Sequence, residues 1–583
     1  MKSKFYPRPT LWFVGLLFLP QVLFAQKFDN VWPFGYNSYP QSIAAESFNL
    51  NFDTFPPRVE MSDRSAYLLT GGASICDSLG NLQLYTNNCQ IWNSENLIVE
   101  GADTITTGWD FEWCEMYRDH PYHFYNIFLP MPDEPNHLAF FKKSTYKSSS
   151  PPLVVFADKM KYLVIDIASN GGLGKVESKE KELISDTLGY GQFSAVKHGN
   201  GRDWWLPMPV EAGNAIYMVL LTKDTAFVHH VQNAGAAWGA DGGFQASFSQ
   251  DGSKYVRYNR FQGVYIYDFD RCDGTFTHLE HFPFNDPTQG IYGGCAISPN
   301  NRYLYVADFD YVYQFDLYAS DILASKELVA TYDGNISGLW TKFSYILNAP
   351  DGRMYIIPPN TTDAIHVINR PNQKGIACDL RQHDIEFPYP YGNPPIFPNY
   401  RLGPLDGSPC DTLGIDNHPL ADFRPDPSDT NYLATRFWDV SSYEPAEWLW
   451  DFGDGSPASQ DTSPVHTFPA PGFYTVCLTV GNVYGVSSKC KVVEVKVSGV
   501  VEVVGGGQFV IYPNPSTGII TLGEIDATNG LVELFDVAGR MVFSQTLSDN
   551  TVDLTGLPPG LYFLRLSRIG EGLLGTSKVV ISE

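Results

Sequence analysis

Three aspartates lie close together in the aromatic stretch WLWDFGDGSPASQD, at positions 451, 454 and 461. Carboxylates at this spacing could form a general acid–base pair or ligate Ca²⁺. A calcium loop, however, places oxygen ligands at alternating positions and ends in a glutamate, which is not the spacing found here. We therefore expect no catalytic residue, no metal ligand and no cofactor, with Ca²⁺ as the remaining alternative for this turn.

A strand must lead into this turn. Trp448 and Trp450 stand two residues apart, which is the period of a half-buried strand. Asp side chains accept backbone N–H bonds two residues on, and Gly453 and Gly455 tolerate left-handed conformations. The pattern predicts that the aspartates brace a corner at the end of a strand.

The histidines offer two further candidates for metal or acid–base chemistry. In HLEH, strand alternation places His278 and Glu280 on one face and His281 on the other. In FVHHVQ, His229 and His230 should point to opposite faces and so could not easily share a metal. Neither stretch has the spacing of a known zinc motif, and ordinary sheet residues are predicted at both.

The nine cysteines include no Cys-x-x-Cys pair and no Cys/His cluster, so they predict no metal site. In an exported chain this number indicates disulfides with one thiol left over. Cys477 and Cys490 flank two strands and a turn, and they form the candidate disulfide. Proximity alone suggests three further pairs, which would leave Cys114 free: Cys76–Cys89, Cys272–Cys295 and Cys378–Cys410.

The first 25 residues have a basic start followed by the apolar stretch LWFVGLLFLPQVLFA. This composition predicts a secretory signal peptide over 1–25, cleaved between Ala25 and Gln26. The apolar stretch is too short to span a bilayer stably, and a retained anchor is the alternative to cleavage. No other segment approaches membrane-spanning length, so the mature protein should have no transmembrane segment.

The formal net charge is −25 and the charges are dispersed along the chain. Such a surface repels nucleic acid and anionic lipid, so neither is an expected partner.

A unit of a polar turn followed by a Tyr-rich strand recurs at Ser249, Ser298 and Ala349, with fainter copies at 76–87, 131–142 and 197–208. A period near 50 residues with several short strands is typical of a β-propeller. The repeat predicts a propeller of about seven blades over 27–405. The stretch 174–185 could be a short helix or a charged strand pair.

Aromatic residues at the mouth of such a propeller could anchor a ligand. DWWLPMP and AAWGADGGFQ supply the candidate ligand-facing residues Trp204, Trp205 and Trp238. Core packing between blades is the alternative for each of them.

A Pro/Gly/Asn-rich linker is predicted over 406–419, followed by alternating strands over 420–498. The motif in this region resembles that of the polycystic-kidney-disease (PKD) domain, an immunoglobulin-like sandwich, and the resemblance implies a spacer or binding module. The matching residues are Trp450, Asp451, Gly453, Asp454, Gly455, His466, Gly472 and Tyr474.

A Gly-rich linker (499–508) precedes a last β-rich unit over 509–583, predicted to be an antiparallel sandwich. This unit resembles the type A C-terminal sorting domain of the type IX secretion system. The resemblance implies passage through the outer membrane, followed by cleavage and either release or attachment to surface lipopolysaccharide. The matching residues are Tyr512, Pro513, Asn514, Pro515, Gly518, Asp536, Gly539, Arg540, Gly560 and Tyr562.

Together these patterns predict an all-β chain, with an N-terminal β-propeller followed by two immunoglobulin-like β-sandwich domains. We expect a secreted or cell-surface protein that partners the type IX secretion machinery and binds a glycan or protein ligand without catalysis. The alternative is a secreted hydrolase or lyase with its active site in the propeller's central channel.

Overall fold

A computed structural model of the chain shows an all-β protein with one α-helix and three short 3₁₀ turns among the described residues. The described residues are 26–35, 47–64, 66, 68, 72–117, 126–147, 155–178, 180–189, 193–238, 245–259, 262–283, 293–334, 339–359, 362–391, 396–428, 431, 433–495, 507–508, 510–514, 516–523, 527–536, 540–568 and 572–581.

Seven antiparallel sheets follow one another within the described part of 31–391, and we number them as blades 1 to 7. Blade 1 comprises β1 (Val31–Phe34), β2 (Ser47–Asn51) and β3 (Arg58–Ser62). Blade 2 comprises β4 (Ser74–Cys76), β5 (Leu82–Thr86) and β6 (Ile91–Asn93). The helix α1 (Trp109–Tyr117) follows, and then blade 3 comprises β7 (Asn126–Pro130), β8 (His137–Lys147), β9 (Val155–Asp166), β10 (Lys175–Val176) and β11 (Lys181–Leu188).

The next four blades have four strands each. Blade 4 comprises β12 (Val196–Lys197), β13 (Trp204–Pro209), β14 (Gly213–Leu221) and β15 (Ala226–Trp238). Blade 5 comprises β16 (Gln245–Phe248), β17 (Lys254–Asn259), β18 (Gly263–Asp270) and β19 (Thr275–Phe282). Blade 6 comprises β20 (Gly294–Ile297), β21 (Tyr303–Asp308), β22 (Tyr311–Asp316) and β23 (Glu327–Thr331). Blade 7 comprises β24 (Tyr345–Asn348), β25 (Met354–Ile357), β26 (Thr362–Ile368) and β27 (Leu380–Tyr391).

The turn-then-strand units seen in the sequence are the connections between the first two strands of blades 5, 6 and 7. Gly252, Asn301 and Gly352 occupy these turns with φ of 72°, 60° and 75°, which explains the Gly or Asn at each. The prediction of a repeating strand unit is confirmed. The stretch 174–185 contains β10 and the first part of β11, so it is formed of strands and not of a helix, and each of the two strands pairs with β9.

Blade 1 packs against blade 7, which closes the blades into a ring. Trp32 and Phe48 of blade 1 share one buried cluster with Tyr355 and Phe387 of blade 7. Trp32 and Tyr355 meet edge to face at 5.4 Å, and Phe48 and Phe387 stack at 4.7 Å. In a linear array of sheets, the first and the last sheet would each leave one face exposed. The contact between blades 1 and 7 buries these two faces.

One buried glutamine joins the first strands of three blades. Gln245 Oε1 accepts hydrogen bonds from the backbone N–H groups of Cys295 (3.1 Å) and Ile346 (3.0 Å). Its Nε2 donates to the Ile346 carbonyl at 2.7 Å. A Cβ at Gly294 would lie 2.3 Å from Gln245 Oε1, so the close approach of strands here requires glycine.

Two smaller β-sandwiches complete the described chain. The first has sheets β28-β29-β31 and β30-β32-β33. Its strands are β28 (Phe423–Pro427), β29 (Ala434–Asp439), β30 (Glu447–Asp451), β31 (Val465–Thr467), β32 (Gly472–Asn482) and β33 (Gly485–Val495). The second has sheets β34-β41-β40-β37-β38 and β35-β36-β39. Its strands are β34 (Gly507–Gln508), β35 (Val510–Tyr512), β36 (Ile519–Gly523), β37 (Leu531–Phe535), β38 (Met541–Thr546), β39 (Thr551–Asp553), β40 (Gly560–Arg568) and β41 (Gly572–Ile581).

Replacing Gln245 with Leu should destabilise the propeller by about 2–4 kcal/mol, because three buried backbone groups would lose their partner. The matched control is Gln382→Leu, whose amide also bonds one backbone N–H and one carbonyl, but at a solvent-exposed position. We expect a loss below about 1 kcal/mol there. Chemical denaturation of both variants measures the difference, and equal losses would contradict the role of Gln245.

Candidate functional site

A cavity of about 100 Å³ lies where the first strands of the blades converge, and we call it the central cavity. Five blades each contribute a first-strand residue to its wall: Ile127, Val196, Gln245, Ala296 and Ile346. A volume of this size admits a few water molecules rather than a sugar or peptide.

Residues 396–401, which follow blade 7, also line the central cavity. Phe397 stacks on Trp32 of blade 1 with ring centroids 6.0 Å apart. The Tyr400 hydroxyl donates to the Phe128 carbonyl of blade 3 at 2.9 Å. The chain that leaves the last blade therefore returns across the ring and is fixed there.

Asp29 is the one carboxylate among the described residues that line the central cavity. Its two oxygens accept hydrogen bonds from the Arg401 guanidinium at 2.8 and 2.6 Å. A bidentate pair of this kind engages both oxygens of the carboxylate. The described wall thus lacks the two separately tuned carboxylates that general acid–base chemistry requires.

The helix α1 carries a row of aromatic rings at four-residue spacing. Trp109, Trp113 and Tyr117 follow one helix face, with ring centroids 5.2 Å and 4.3 Å apart. Trp109 and Trp113 are half-buried, and Tyr117 is 52% exposed. We call these three residues the aromatic row.

The adjacent face of α1 is fixed to the propeller at two points. Asp110, buried, accepts hydrogen bonds from the Thr145 backbone N–H (2.8 Å) and from its hydroxyl. Cys114, one turn later, forms a disulfide with Cys89. The aromatic row therefore stands on a helix that is held rigidly. Sequence reasoning missed this helix, although the spacing of Trp109, Trp113 and Tyr117 was the available signal.

The prediction that Trp204 and Trp205 face a ligand is wrong. Both belong to β13 and are nearly completely buried, at 2% and 1% exposure. As successive strand residues they point to opposite faces, so each packs against a different neighbouring blade. The Trp205 indole donates to the Arg271 carbonyl at 2.9 Å. The side chain of Trp238 lies outside the described residues.

The aspartates of the DFGDG turn brace the corner as expected. Asp451 accepts a hydrogen bond from the Gly453 N–H at 2.9 Å. Asp454 accepts from the Ser456 N–H and hydroxyl with one oxygen, and lies 2.7 Å from His466 Nε2 with the other. Both oxygens of Asp454 are therefore engaged within the protein.

The remaining motif residues of this sandwich have structural contacts. Trp450 is fully buried, and its indole donates to the Asp461 carbonyl at 2.8 Å. The Tyr474 hydroxyl donates to the Ala470 carbonyl at 2.7 Å, four residues upstream. Such a tyrosine corner fixes the start of a sandwich strand. Gly472 begins that strand, β32.

The predicted side-chain directions are correct for one histidine stretch and wrong for the other. His278 and Glu280 share a face as expected, with Nε2 and Oε1 3.5 Å apart. The expectation that His229 and His230 diverge is wrong, because their Nδ1 atoms lie 2.9 Å apart. A β-bulge between the pairs Met218–His230 and Val219–Val228 breaks the alternation there.

The cysteine pairing differs from three of the four predicted pairs. The structure contains the expected disulfide Cys477–Cys490, whose strands β32 and β33 are neighbours. The other disulfides are Cys89–Cys114 and Cys272–Cys410, so Cys114 is not free. The buried thiols are Cys76, Cys295 and Cys378, and burial raises the pKa of Cys378 to about 11. Spacing along the chain could not reveal pairs that tertiary packing brings together.

In the last sandwich the motif residues again hold turns and strand ends. The Asn514 side chain bonds the Lys578 carbonyl (2.7 Å) and the Val580 N–H (2.8 Å). Asp536 forms an ion pair with Arg540, and the Tyr562 hydroxyl donates a hydrogen bond to the Pro558 carbonyl. Three further motif positions have backbone features: the Tyr512–Pro513 peptide bond is cis, Gly518 has a left-handed φ, and Gly560 begins β40. Ala25, Pro515 and Gly539 lie outside the described residues, as do the signal peptide and most of the linker 499–508.

Comparisons with known families identify the two sandwiches. Residues 417–497 match the PKD domain, and residues 510–582 match the secretion system C-terminal sorting domain. The chain is therefore a type IX-secreted, cell-surface or extracellular protein that combines a propeller-like ring with a PKD domain and a sorting domain. No curated protein matched the chain. Among the described residues, no helix is both long enough and apolar enough to cross a membrane.

Solved structures resemble parts of the chain. The PKD1 domain of Vibrio cholerae metalloprotease PrtV is 27% identical, with 13% of this chain and 96% of that chain covered and a TM-score of 0.12. The PKD1 domain of Vibrio anguillarum Epp is 26% identical, with 13% and 93% covered and a TM-score of 0.12. The Dos1 propeller is 10% identical, with 61% and 81% covered and a TM-score of 0.36.

The Asp454–His466 contact predicts an acid-sensitive component of stability. Burial tends to raise the pKa of Asp454, but hydrogen bonds from Ser456 and His466 outweigh it and lower the value to about 2. Because the folded pKa lies below the ordinary value near 3.9, the stabilisation is complete above about pH 4 and is lost as the pH falls towards 2. Asp454→Asn should remove about 1 kcal/mol of stability at neutral pH, together with this pH dependence.

Asp451→Asn is the matched control, because it keeps the same turn geometry at an exposed position. Denaturation of both variants between pH 2 and 7 measures the effect. If the stability of Asp454→Asn changed with pH in parallel with that of the unmodified protein, Asp454 would not be the source of the acid sensitivity.

Proposed function

We propose that the protein is a non-catalytic binding or adhesion protein of the cell exterior, with the propeller as its ligand-binding head. The aromatic row on α1 is the observation that carries this proposal. Aromatic faces stack on the apolar C–H faces of sugars and also anchor protein interfaces, so a glycan or a protein is the ligand class.

Rigidity supports a binding role for the aromatic row. Ordering side chains on binding costs free energy, and a scaffold that is already fixed avoids most of that cost. The Cys89–Cys114 disulfide and the Asp110–Thr145 hydrogen bonds hold α1 before any ligand arrives. Met116, 70% exposed and three residues after Trp113, extends the apolar surface beside the row. A cluster of this kind is unusual on a surface without a binding partner.

The central cavity supports binding over catalysis. Its volume is small, its one described carboxylate is held by Arg401, and residues 396–401 occupy part of its wall. A hydrolase or lyase with its active site in the channel is the alternative that this arrangement disfavours.

The two sandwiches have supporting roles in this proposal. The PKD domain acts as a spacer or accessory binding module. The sorting domain directs the chain to the type IX machinery, after which the mature protein is released or attached to surface lipopolysaccharide.

Trp113→Ala should weaken ligand binding by at least tenfold, because it removes the middle ring of the aromatic row. A glycan and protein array probed with residues 27–419, which retain the Cys272–Cys410 disulfide, identifies the ligand, and titration of both forms measures the loss. Trp340→Ala is the control, since Trp340 is a 58% exposed tryptophan outside α1. Unchanged binding by Trp113→Ala, or turnover by the unmodified fragment in a hydrolase panel, would contradict the proposal.

Deletion of residues 509–583 should leave the protein inside the outer membrane of a host that has the type IX system. Deletion of 420–498 is the control and should still be exported, because it leaves the sorting domain intact. Cell fractionation with immunodetection distinguishes the two. Normal export of the first truncation would contradict the role of the sorting domain.

A further inference from the structure

Three metal-ligating side chains meet at one edge of blade 3. His137 begins β8, and Asp166, its cross-strand partner, ends β9. Asp166 also pairs with Lys175 of β10, and Glu177 follows that strand. One ligand atom from each of His137, Asp166 and Glu177 lies within 4.8 Å of the others. We call these three residues the His137 cluster.

The distances in the His137 cluster approach those of a tetrahedral metal site. His137 Nε2 lies 3.2 Å from Glu177 Oε2. Zinc binds nitrogen and carboxylate oxygen at roughly 2.0–2.2 Å, which places neighbouring tetrahedral ligands about 3.4 Å apart. Some ligand atoms of the cluster can be as far as 4.8 Å apart, which is longer than this separation, so the side chains must move slightly closer together to bind an ion. Glu177, whose side chain is 49% exposed, can rotate to do so.

The backbone around the cluster is fixed, which reduces the cost of bringing the ligands together. The β8–β9 and β9–β10 ladders set the positions of His137 and Asp166. The Glu177 N–H donates to the Val164 carbonyl at 2.9 Å, which holds the third ligand beside β9. Side-chain rotation is therefore the main adjustment that binding requires.

The second ring nitrogen of His137 also fits a metal site. Its Nδ1 is buried without a hydrogen-bond partner and faces Glu134 Oε2 at 3.6 Å, just beyond bonding distance. A metal-bound histidine donates its other N–H to a carboxylate in many sites, which fixes the ring and its tautomer. Glu134 is placed to accept a hydrogen bond from that N–H.

The Asp166 carboxylate is oriented by hydrogen bonds from the turn that follows β9. Its Oδ1 accepts from the Ala168 N–H at 2.8 Å and from the Ser169 N–H at 3.2 Å, and its Oδ2 accepts from the Ser169 hydroxyl.

We propose that His137, Asp166 and Glu177 bind a divalent transition-metal ion of the zinc class, with the fourth position open to water. One imidazole and two carboxylates match the nitrogen and oxygen ligands that zinc accepts. Calcium is a poorer match, because it takes six to eight oxygen ligands. None of the three residues lines the central cavity or belongs to α1, so the proposal does not depend on the proposed ligand-binding function.

The test is titration of the EDTA-treated secreted protein with Zn²⁺ against a chromophoric chelator, with Co²⁺ absorption as a readout of coordination. We expect one ion per chain and a tetrahedral Co²⁺ spectrum. His137→Gln and Glu177→Gln should each weaken Zn²⁺ binding at least tenfold. His278→Gln is the matched control, because His278 also lies near a glutamate, at 3.5 Å from Glu280, on an exposed strand.

Failure of the unmodified protein to bind Zn²⁺ more tightly than His137→Gln would overturn the proposal. Equal affinity of Glu177→Gln and the unmodified protein would overturn it as well, since the ion would then lie elsewhere. Glu177 is exposed, so its variant should fold normally, and unfolding measured in EDTA verifies this.

Discussion

Burial of both faces of every sheet is the constraint on which the propeller depends. A four-stranded antiparallel sheet has two apolar faces and cannot bury both alone. Each blade therefore packs against two others, and the Trp32–Tyr355 and Phe48–Phe387 contacts between blades 1 and 7 bury the last free faces. At the centre, strands approach so closely that Gln245 can bond to two neighbours and Gly294 admits no side chain. Ring closure thus leaves only a small cavity at the centre, lined by first-strand residues of the blades.

The residues that the family motifs share are structural in both sandwiches. Tyr474 and Tyr562 each donate to a carbonyl four residues upstream. Asp454 and Asp536 hold a turn through a basic partner, His466 and Arg540 respectively. A motif of this kind identifies a fold because strand corners need these side chains, and so it carries little information about a ligand.

The sequence predicted the regular parts well and the irregular parts poorly. The turns at Gly252 and Gly352 recur because each blade needs the same hairpin, so their period was visible. The bulge that brings His229 towards His230 inserts one residue and breaks the alternation on which the prediction depended. Likewise, the residue type of Trp205 does not reveal whether its side chain is buried between blades or exposed at the rim of the propeller. Only the packing in the folded structure distinguishes these two positions.

The Cys272–Cys410 disulfide has a mechanical consequence for a protein displayed at a cell surface. It joins the turn after β18 to the segment that leads towards the PKD domain. The two cysteines are 138 positions apart in the sequence. A covalent load path from the C-terminal side can pass from Cys410 through sulfur into blade 5. This path bypasses the backbone of blades 6 and 7 and of residues 396–401, which therefore cannot be drawn out as an extended chain while the disulfide is intact.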